Sequence, residues 1–390
     1  PEHHDGPPKK NTEVYPGLAY YALATDILGN HNGGTTLPHV QAFLLAGLYM
    51  GQLARVLESY MWIQNACRVL KLLVNDYKEY VTRSQENRVR PSLPQGLTLE
   101  FIRQLQVAFW SGVQLESDIY AELGDLPRTE ITELETDVHY PSANSEADSD
   151  MLFYYYAQVV LRKQLNEVSS SLYTQDANQG RTGRPSWYGS SKVDGRFASI
   201  HWENLQAWRN GLPGHLKWED GDPPATSINA ARLRGKYYGA AYIITRPFLY
   251  HAVEHMEERY KFTFESPQLK QLPRVNLKLP SVDRGERRPP TREEAEKAEE
   301  IIMAARICVE SAMESTVAFD GVNPGGRWIV TNIHGTAQAQ FGNLLVLAAV
   351  RSSWLRDLVS WDRLEALMKR TIKLLENLSP ISPTARVNLK

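Results

Sequence analysis

Apolar residues return at helical spacing along almost the whole chain, and no run alternates as a half-buried strand would. The clearest case follows Thr291-Arg-Glu-Glu294, a hydroxyl with a carboxylate three residues on, as in a capping box. Behind it Ala298, Ile301, Ile302, Ala305, Val309 and Ala312 form a one-sided stripe. Such a pattern predicts an all-α fold: a large multi-helix, bundle-like body over 15–390, behind a polar tail over 1–14 expected to be flexible.

Thr36 is placed to cap a helix with Pro38 in its first turn, and residues 40–50 are apolar on nearly every face, which predicts a central helix. Further helices are predicted over 57–73, from a cap at Thr98 to about 123, over 151–173, and over 198–210 up to the stop Gly211-Leu-Pro-Gly214. Two more are predicted over 332–358 and 363–378. Residues 228–260 read as one helix bent or broken at Pro247, whose missing N–H removes a rung. Loops are expected at 142–150, 175–195 and 272–290, where small, polar and proline residues collect.

Composition excludes several roles. The formal net charge is −2, whereas gripping duplex phosphates takes a basic excess, because affinity comes from displaced counterions. Direct DNA binding by these residues is not expected. Cys67 and Cys308 are the only cysteines, too few for a disulfide framework or a cysteine-built zinc site. Both are expected to be small buried hydrophobes on helices, which suits a reducing compartment. The apolar stretches 42–50 and 341–350 fall well short of the roughly 20 residues a membrane span needs. With no apolar signal-peptide core in the first ten residues, an intracellular protein without membrane association is expected.

Few motifs point to chemistry. His251-Ala-Val-Glu254-His255 has the form used by inverted zinc peptidases, two histidines one helical turn apart with a glutamate to activate water. Glu257, Glu258, Arg259 and Lys261 follow closely, so a solvated helix face is the competing account and no metal residue is assigned. Phosphate loops and a Gly-x-Ser-x-Gly elbow do not occur, and the chain is not expected to be an enzyme. The arginines at 284, 287, 288 and 292 are diluted by neighbouring carboxylates and read as a solvated linker.

Glu116 falls in the stripe of Leu105, Phe109, Ile119 and Leu123, with Gly112 at the missing step. A carboxylate there is costly unless paired or hydrogen-bonded. Arg68 and Arg246, both inside apolar helices, are its candidate partners in a structural ion pair; the competing role is orienting a small ligand. Tyr154, Tyr155, Tyr156, Tyr237, Tyr238 and Tyr242 read as helix contacts or as a pocket lining. The candidate pocket residues are Trp110, Glu116, Tyr154, Tyr155, Tyr238, Tyr242 and Arg246.

An ordered set of helical signatures runs through the chain: Tyr15-Pro-Gly-Leu-Ala-Tyr-Tyr21, Gln41-Ala-Phe-Leu-Leu45, Ala66-Cys-Arg68, Leu115-Glu-Ser-Asp118, Leu233-Arg-Gly-Lys-Tyr-Tyr238 and Arg246-Pro-Phe-Leu-Tyr250. Trp110, Leu126-Pro127, Tyr140-Pro141, Trp208 with Leu212-Pro213, and Leu374-Leu-Glu376 with Ser379-Pro380 continue it. From about Tyr15 to Arg386 this set resembles the regulatory, or middle homology, region of fungal binuclear zinc-cluster transcription factors. The chain departs from that pattern in two places, with Tyr60 where the family has Trp and Arg103-Gln104 where it has a double arginine.

The resemblance implies an all-helical, effector-sensing domain that controls RNA polymerase II transcription in the nucleus. Its implied partners are a small-molecule effector and transcriptional co-regulators. DNA contact and zinc are implied only for a cysteine cluster upstream of these residues, with no cofactor in the chain itself. A ligand-free interaction or homodimerisation scaffold is the alternative, and a metal-dependent hydrolase a distant third. Pro247 and Gly325-Gly326 are the candidate hinges.

Overall fold

The structure, a computed structural model, describes residues 16–86, 98–123, 126–142, 146–172, 195–257, 292–322, 330 and 332–390. Among the described residues the chain is all-α, as its periodicity predicts, with eleven α-helices and no strand. They are α1 Leu18–Asn30, α2 Leu37–Gln52, α3 Val56–Glu86, α4 Leu99–Glu122, α5 Glu146–Leu172 and α6 Gly195–Asn210. There follow α7 Ile228–His255, α8 Arg292–Val317, α9 Ile333–Arg351, α10 Trp361–Leu378 and α11 Pro383–Asn388. The tail over 1–14, the loops at 175–194 and 272–290, the arginines at 284, 287 and 288, and the Gly325-Gly326 hinge lie outside the described residues. No described helix is long and apolar enough to cross a membrane.

By their contacts the helices fall into two compact units. Unit 1 spans Pro1–Ala143 with Thr331–His334, and unit 2 spans Asn144–Val330 with Gly335–Lys390.

In unit 1, α2 packs along α3, and Phe43 stacks on Trp62 at 5.8 Å between ring centroids. The stripe Tyr60, Ile63, Cys67 and Leu70 on α3 is buried, as is Leu105, Phe109, Glu116 and Ile119 on α4. Each large apolar side chain so placed contributes about 1.5–3 kcal/mol. Thr98 caps α4 as predicted, its hydroxyl accepting from the Phe101 N–H at 3.0 Å. Thr36 precedes α2, but its hydroxyl pairs with His39 Nδ1 at 2.7 Å and caps no backbone N–H.

Unit 2 is built on α7 against α8. The predicted α8 stripe, Ala298 to Ala312, is buried throughout. Of the bend or break expected at Pro247, the break does not occur: α7 runs through it to His255. Proline inside a helix costs about 3 kcal/mol, but Ile244, Phe248, Leu249 and Ala252 are all buried on either side of it. That burial outweighs the missing rung. Two other boundaries differ from those expected. Helix α5 starts at Glu146, inside the expected loop, and the long helix predicted over 332–358 ends at Arg351, before a separate 3-10 turn at Arg356–Leu358.

Past α8 the chain turns at Gly321, where a Cβ would stand 2.4 Å from the Pro224 carbonyl oxygen and 2.7 Å from that of Ala225. No side chain fits there, so the segment that precedes α7 is seated directly on the end of α8.

Candidate functional site

The segment joining α6 to α7 shapes a cleft in unit 2. Helix α6 stops at Asn210 because Gly211-Leu-Pro-Gly214 follows, the Gly211 N–H closing on the Ala207 carbonyl at 3.0 Å. A 3-10 turn, Gly214–Leu216, then leads into an extended stretch; Leu212 before the turn, Leu216 in it and Trp218 after it are buried. Gly221 takes φ +93°, the left-handed region where glycine is unstrained. The turn is locked by the Glu219 N–H donating to Asp222 Oδ2 at 2.8 Å.

This strap, with α6, α7 and α8, encloses about 790 Å³. Trp202, Arg209, Trp218, Tyr238, Asp220 and Glu314 represent its lining: aromatic rings with charges of both signs. Small-molecule sites run from about 300 to 1,000 Å³, so the cleft has the size of one, with a lining more polar than such sites usually show.

Arg209 organises one wall. Its guanidinium reaches Asp220 Oδ1 at 2.7 Å, donates to the Trp218 carbonyl at 2.9 Å and to the Tyr237 hydroxyl at 3.4 Å. It also lies 5.0 Å from the Trp218 ring and 5.1 Å from that of Tyr237, close enough for cation–π attraction. Burial opposes its charge, but Tyr237 and Asp220 outweigh that and hold the guanidinium above its ordinary pKa. The Trp218 indole N–H donates to the Tyr238 hydroxyl at 3.1 Å, and Gln206 donates to the Tyr237 hydroxyl at 2.9 Å. Burial, with the Asp220 charge beside it, pushes the Tyr238 phenol up to about 12, so it remains a neutral hydrogen-bonding group.

The opposite wall is α8. Arg306 holds Glu310 at 2.7 Å, one turn before Glu314. The Arg363 guanidinium stands 3.8 Å from Glu314. Burial raises the Glu314 carboxyl, Asp220 and Glu310 raise it further, and Arg363 and Arg234 pull it back only in part.

Of the predicted pocket residues, Tyr238 lines this cleft, as does its neighbour Tyr237. Trp110, Glu116, Tyr154, Tyr155, Tyr242 and Arg246 lie outside its lining. Tyr154 and Tyr242 pack on the unit 2 core, Tyr154 with Arg232 5.8 Å from its ring and Tyr242 with Arg246 5.6 Å from its own. Tyr155 is half-buried on α5. The cleft residues that sequence reasoning passed over are Trp202, Arg209, Trp218, Asp220 and Glu314. The one available signal was the density of tryptophan around the Gly211-Leu-Pro-Gly214 stop, at 202, 208 and 218.

In unit 1 Glu116 is buried at 4 % exposure, as its stripe requires, but the expected ion pair with Arg68 is not made. Its Oε1 accepts the Thr129 N–H at 2.8 Å, while Arg68 is exposed on α3 and donates to Asn65. Arg246, the other candidate, belongs to unit 2. Around Glu116 the segment 126–142 is tied down: the Tyr60 hydroxyl donates to the Pro127 carbonyl at 2.7 Å, and Lys71 Nζ to that of Thr129 at 2.9 Å. Trp110 stacks on Tyr140 at 4.6 Å and donates to the His139 carbonyl at 3.3 Å. Glu116 is thus the internal acceptor of a loop clamp, and Trp110 is filled on its face.

His251 and His255 share a face of α7, with ring centroids 5.1 Å apart. Burial, and then the neighbouring ring, push His251 down to about 4, which keeps it neutral. Among the described residues no three His, Cys, Asp or Glu side chains form a metal-holding group. Both cysteines are free and buried. Neither a protein-family model, nor a curated protein, nor a solved structure matches this chain.

Proposed function

We propose that this chain is the helical regulatory region of a fungal binuclear zinc-cluster transcription factor, and that the unit 2 cleft takes its small-molecule effector. The observation that carries the reading is the cleft: about 790 Å³, with aromatic and charged groups contributed by α6, the strap, α7 and α8. The ordered signatures support it from the sequence side, and some of them meet in space, Tyr60 with Pro127 and Trp110 with Tyr140. A ligand shifts such a domain only by binding one helix arrangement better than another. A cleft walled by three helices and a strap offers that difference, because its shape depends on how they are spaced. DNA contact, zinc and nuclear residence belong in this reading to the upstream cluster.

The test joins the chain to an unrelated DNA-binding domain and reads a reporter gene while a panel of metabolites is supplied. The expected result is a compound-dependent change of output that Tyr238→Ala abolishes. Output equal to that of the DNA-binding domain alone under every condition overturns the reading.

A second reading, an interaction scaffold, has its own observation. Helix α1 buries none of its residues, and Tyr20, Leu23 and Ile27, at 82 %, 63 % and 54 % exposure, share one of its faces. If that face joins two copies, Leu23→Asp with Ile27→Asp converts a dimer to a monomer in analytical ultracentrifugation. A wild-type monomer at every concentration removes the dimer.

A further inference from the structure

We propose that the cleft takes a small organic cation, an amine whose ammonium meets Glu314 and whose apolar body lies against Trp202 and Tyr238. This inference rests on the cleft being an effector site. It follows from which charges of the lining are already engaged. Arg209 is engaged by Asp220, by the Trp218 carbonyl and by the Tyr237 hydroxyl. Arg306 is held by Glu310 at 2.7 Å. The remaining basic group of the lining, Lys217, is exposed, where an ammonium is well hydrated. An anionic guest therefore finds its natural partners occupied.

Glu314 is placed otherwise. Its ion-pair partner Arg363 is 3.8 Å away, beyond hydrogen-bond length, and against the pull of Arg363 and the weaker pull of Arg234 stand burial and two further carboxylates of the same cleft, Asp220 and Glu310. The charged form of Glu314 is thus under-compensated, and an ammonium brings three N–H donors to such a group. The aromatic groups complete the match. Tyr237 is flanked by Trp208 and Trp218, and Trp218 by Arg209 and Arg234. Tyr238 meets Tyr237 edge-on at 5.1 Å and Trp218, tilted, at 6.2 Å, yet like Trp202 it is only half-buried in the lining, and it lies within the field of Glu314. Aromatic faces beside a carboxylate are the usual receptor for an alkylammonium.

The test titrates the whole chain with three probes of one shape: 2-phenylethylamine, 2-phenylethanol and phenylacetate, read by calorimetry and by protein NMR. The amine is expected to bind about tenfold more tightly than either of the others, the margin of a charge-assisted contact. Glu314→Gln is expected to remove that margin and leave the alcohol unchanged. Equal or tighter binding of the alcohol or of phenylacetate overturns the proposal, as does no binding of the amine, or an undiminished amine affinity in Glu314→Gln. Should that variant fail to fold, the three-probe comparison on the unaltered chain still decides. The effector reading fails separately: amine binding that depends on Glu314, with a reporter that never responds, sinks regulation and leaves the cation preference standing.

Discussion

In unit 1 the carboxylate of Glu116 is sealed at 4 % exposure against the Thr129 N–H, whereas in unit 2 the Glu314 side chain is 44 % exposed and its cation stands 3.8 Å away. Both sit on long helices beside aromatic residues. The first completes a hydrogen bond that a loop needs, so removing it leaves a buried donor unsatisfied. The second has only a long ion pair to Arg363, with Arg234 acting from farther off, and no hydrogen bond that a loop depends on. A buried acid is therefore a poor guide to function until its partner is known, and a half-open one facing a cleft is the better lead.

The sharpest way to break this contrast is Trp218→Ala. Trp218 is 4 % exposed and meets Tyr237 edge-on at 5.3 Å, so its loss is expected to cost about 3–5 kcal/mol in denaturant unfolding. A cost under about 1 kcal/mol would mean that the strap does not form the cleft wall. Next comes Glu116→Leu, expected to cost about 1–3 kcal/mol by orphaning the Thr129 N–H. Glu116→Gln, which keeps an oxygen acceptor, is expected to cost less. Equal costs for the two would restore a charge-pairing role to Glu116.

His251 on α7 gives a pH-dependent effect. Its folded pKa lies near 4, below the ordinary 6.5, so its contribution is present above 6.5 and lost as pH falls towards 4. His251→Phe is expected to flatten melting temperature against pH across that window; an unchanged slope would place the acid-sensitive group elsewhere. The smallest effect is that of Glu314→Gln, within about 0.5 kcal/mol at neutral pH. Because the Glu314 carboxyl is raised, ionising it weakens the fold as pH rises through that value, and any change on neutralisation should be a slight gain. A loss as large as that of Glu116→Leu would erase the difference between the units.

The helices were legible because their burial is one-sided: the α8 stripe and the Thr98 cap of α4 could be read directly from spacing. Pro247 carries a local penalty that is visible in the sequence, while the buried Phe248 and Leu249 that keep the helix continuous are visible only in the fold. Glu116 was recognised as buried, but its partner is a backbone N–H thirteen residues away, which no side-chain pattern announces. The cleft stayed hidden for a related reason. Its walls are separated by about a hundred residues, and Glu314 looks like any other carboxylate on a charged helix face.

The crowded crossing at Gly321 gives this arrangement a mechanical reading. The strap that carries Trp218 and Asp220 touches the turn after α8 through Pro224 and Ala225 so closely that not even a methyl group fits between them. Beside that crossing Asp320 is gripped by Arg370 of α10, which also donates to Gln340 of α9 at 2.8 Å. A guest that displaces the strap is therefore expected to be felt at α9 and α10, because the glycine it presses on stands beside the residue that Arg370 holds.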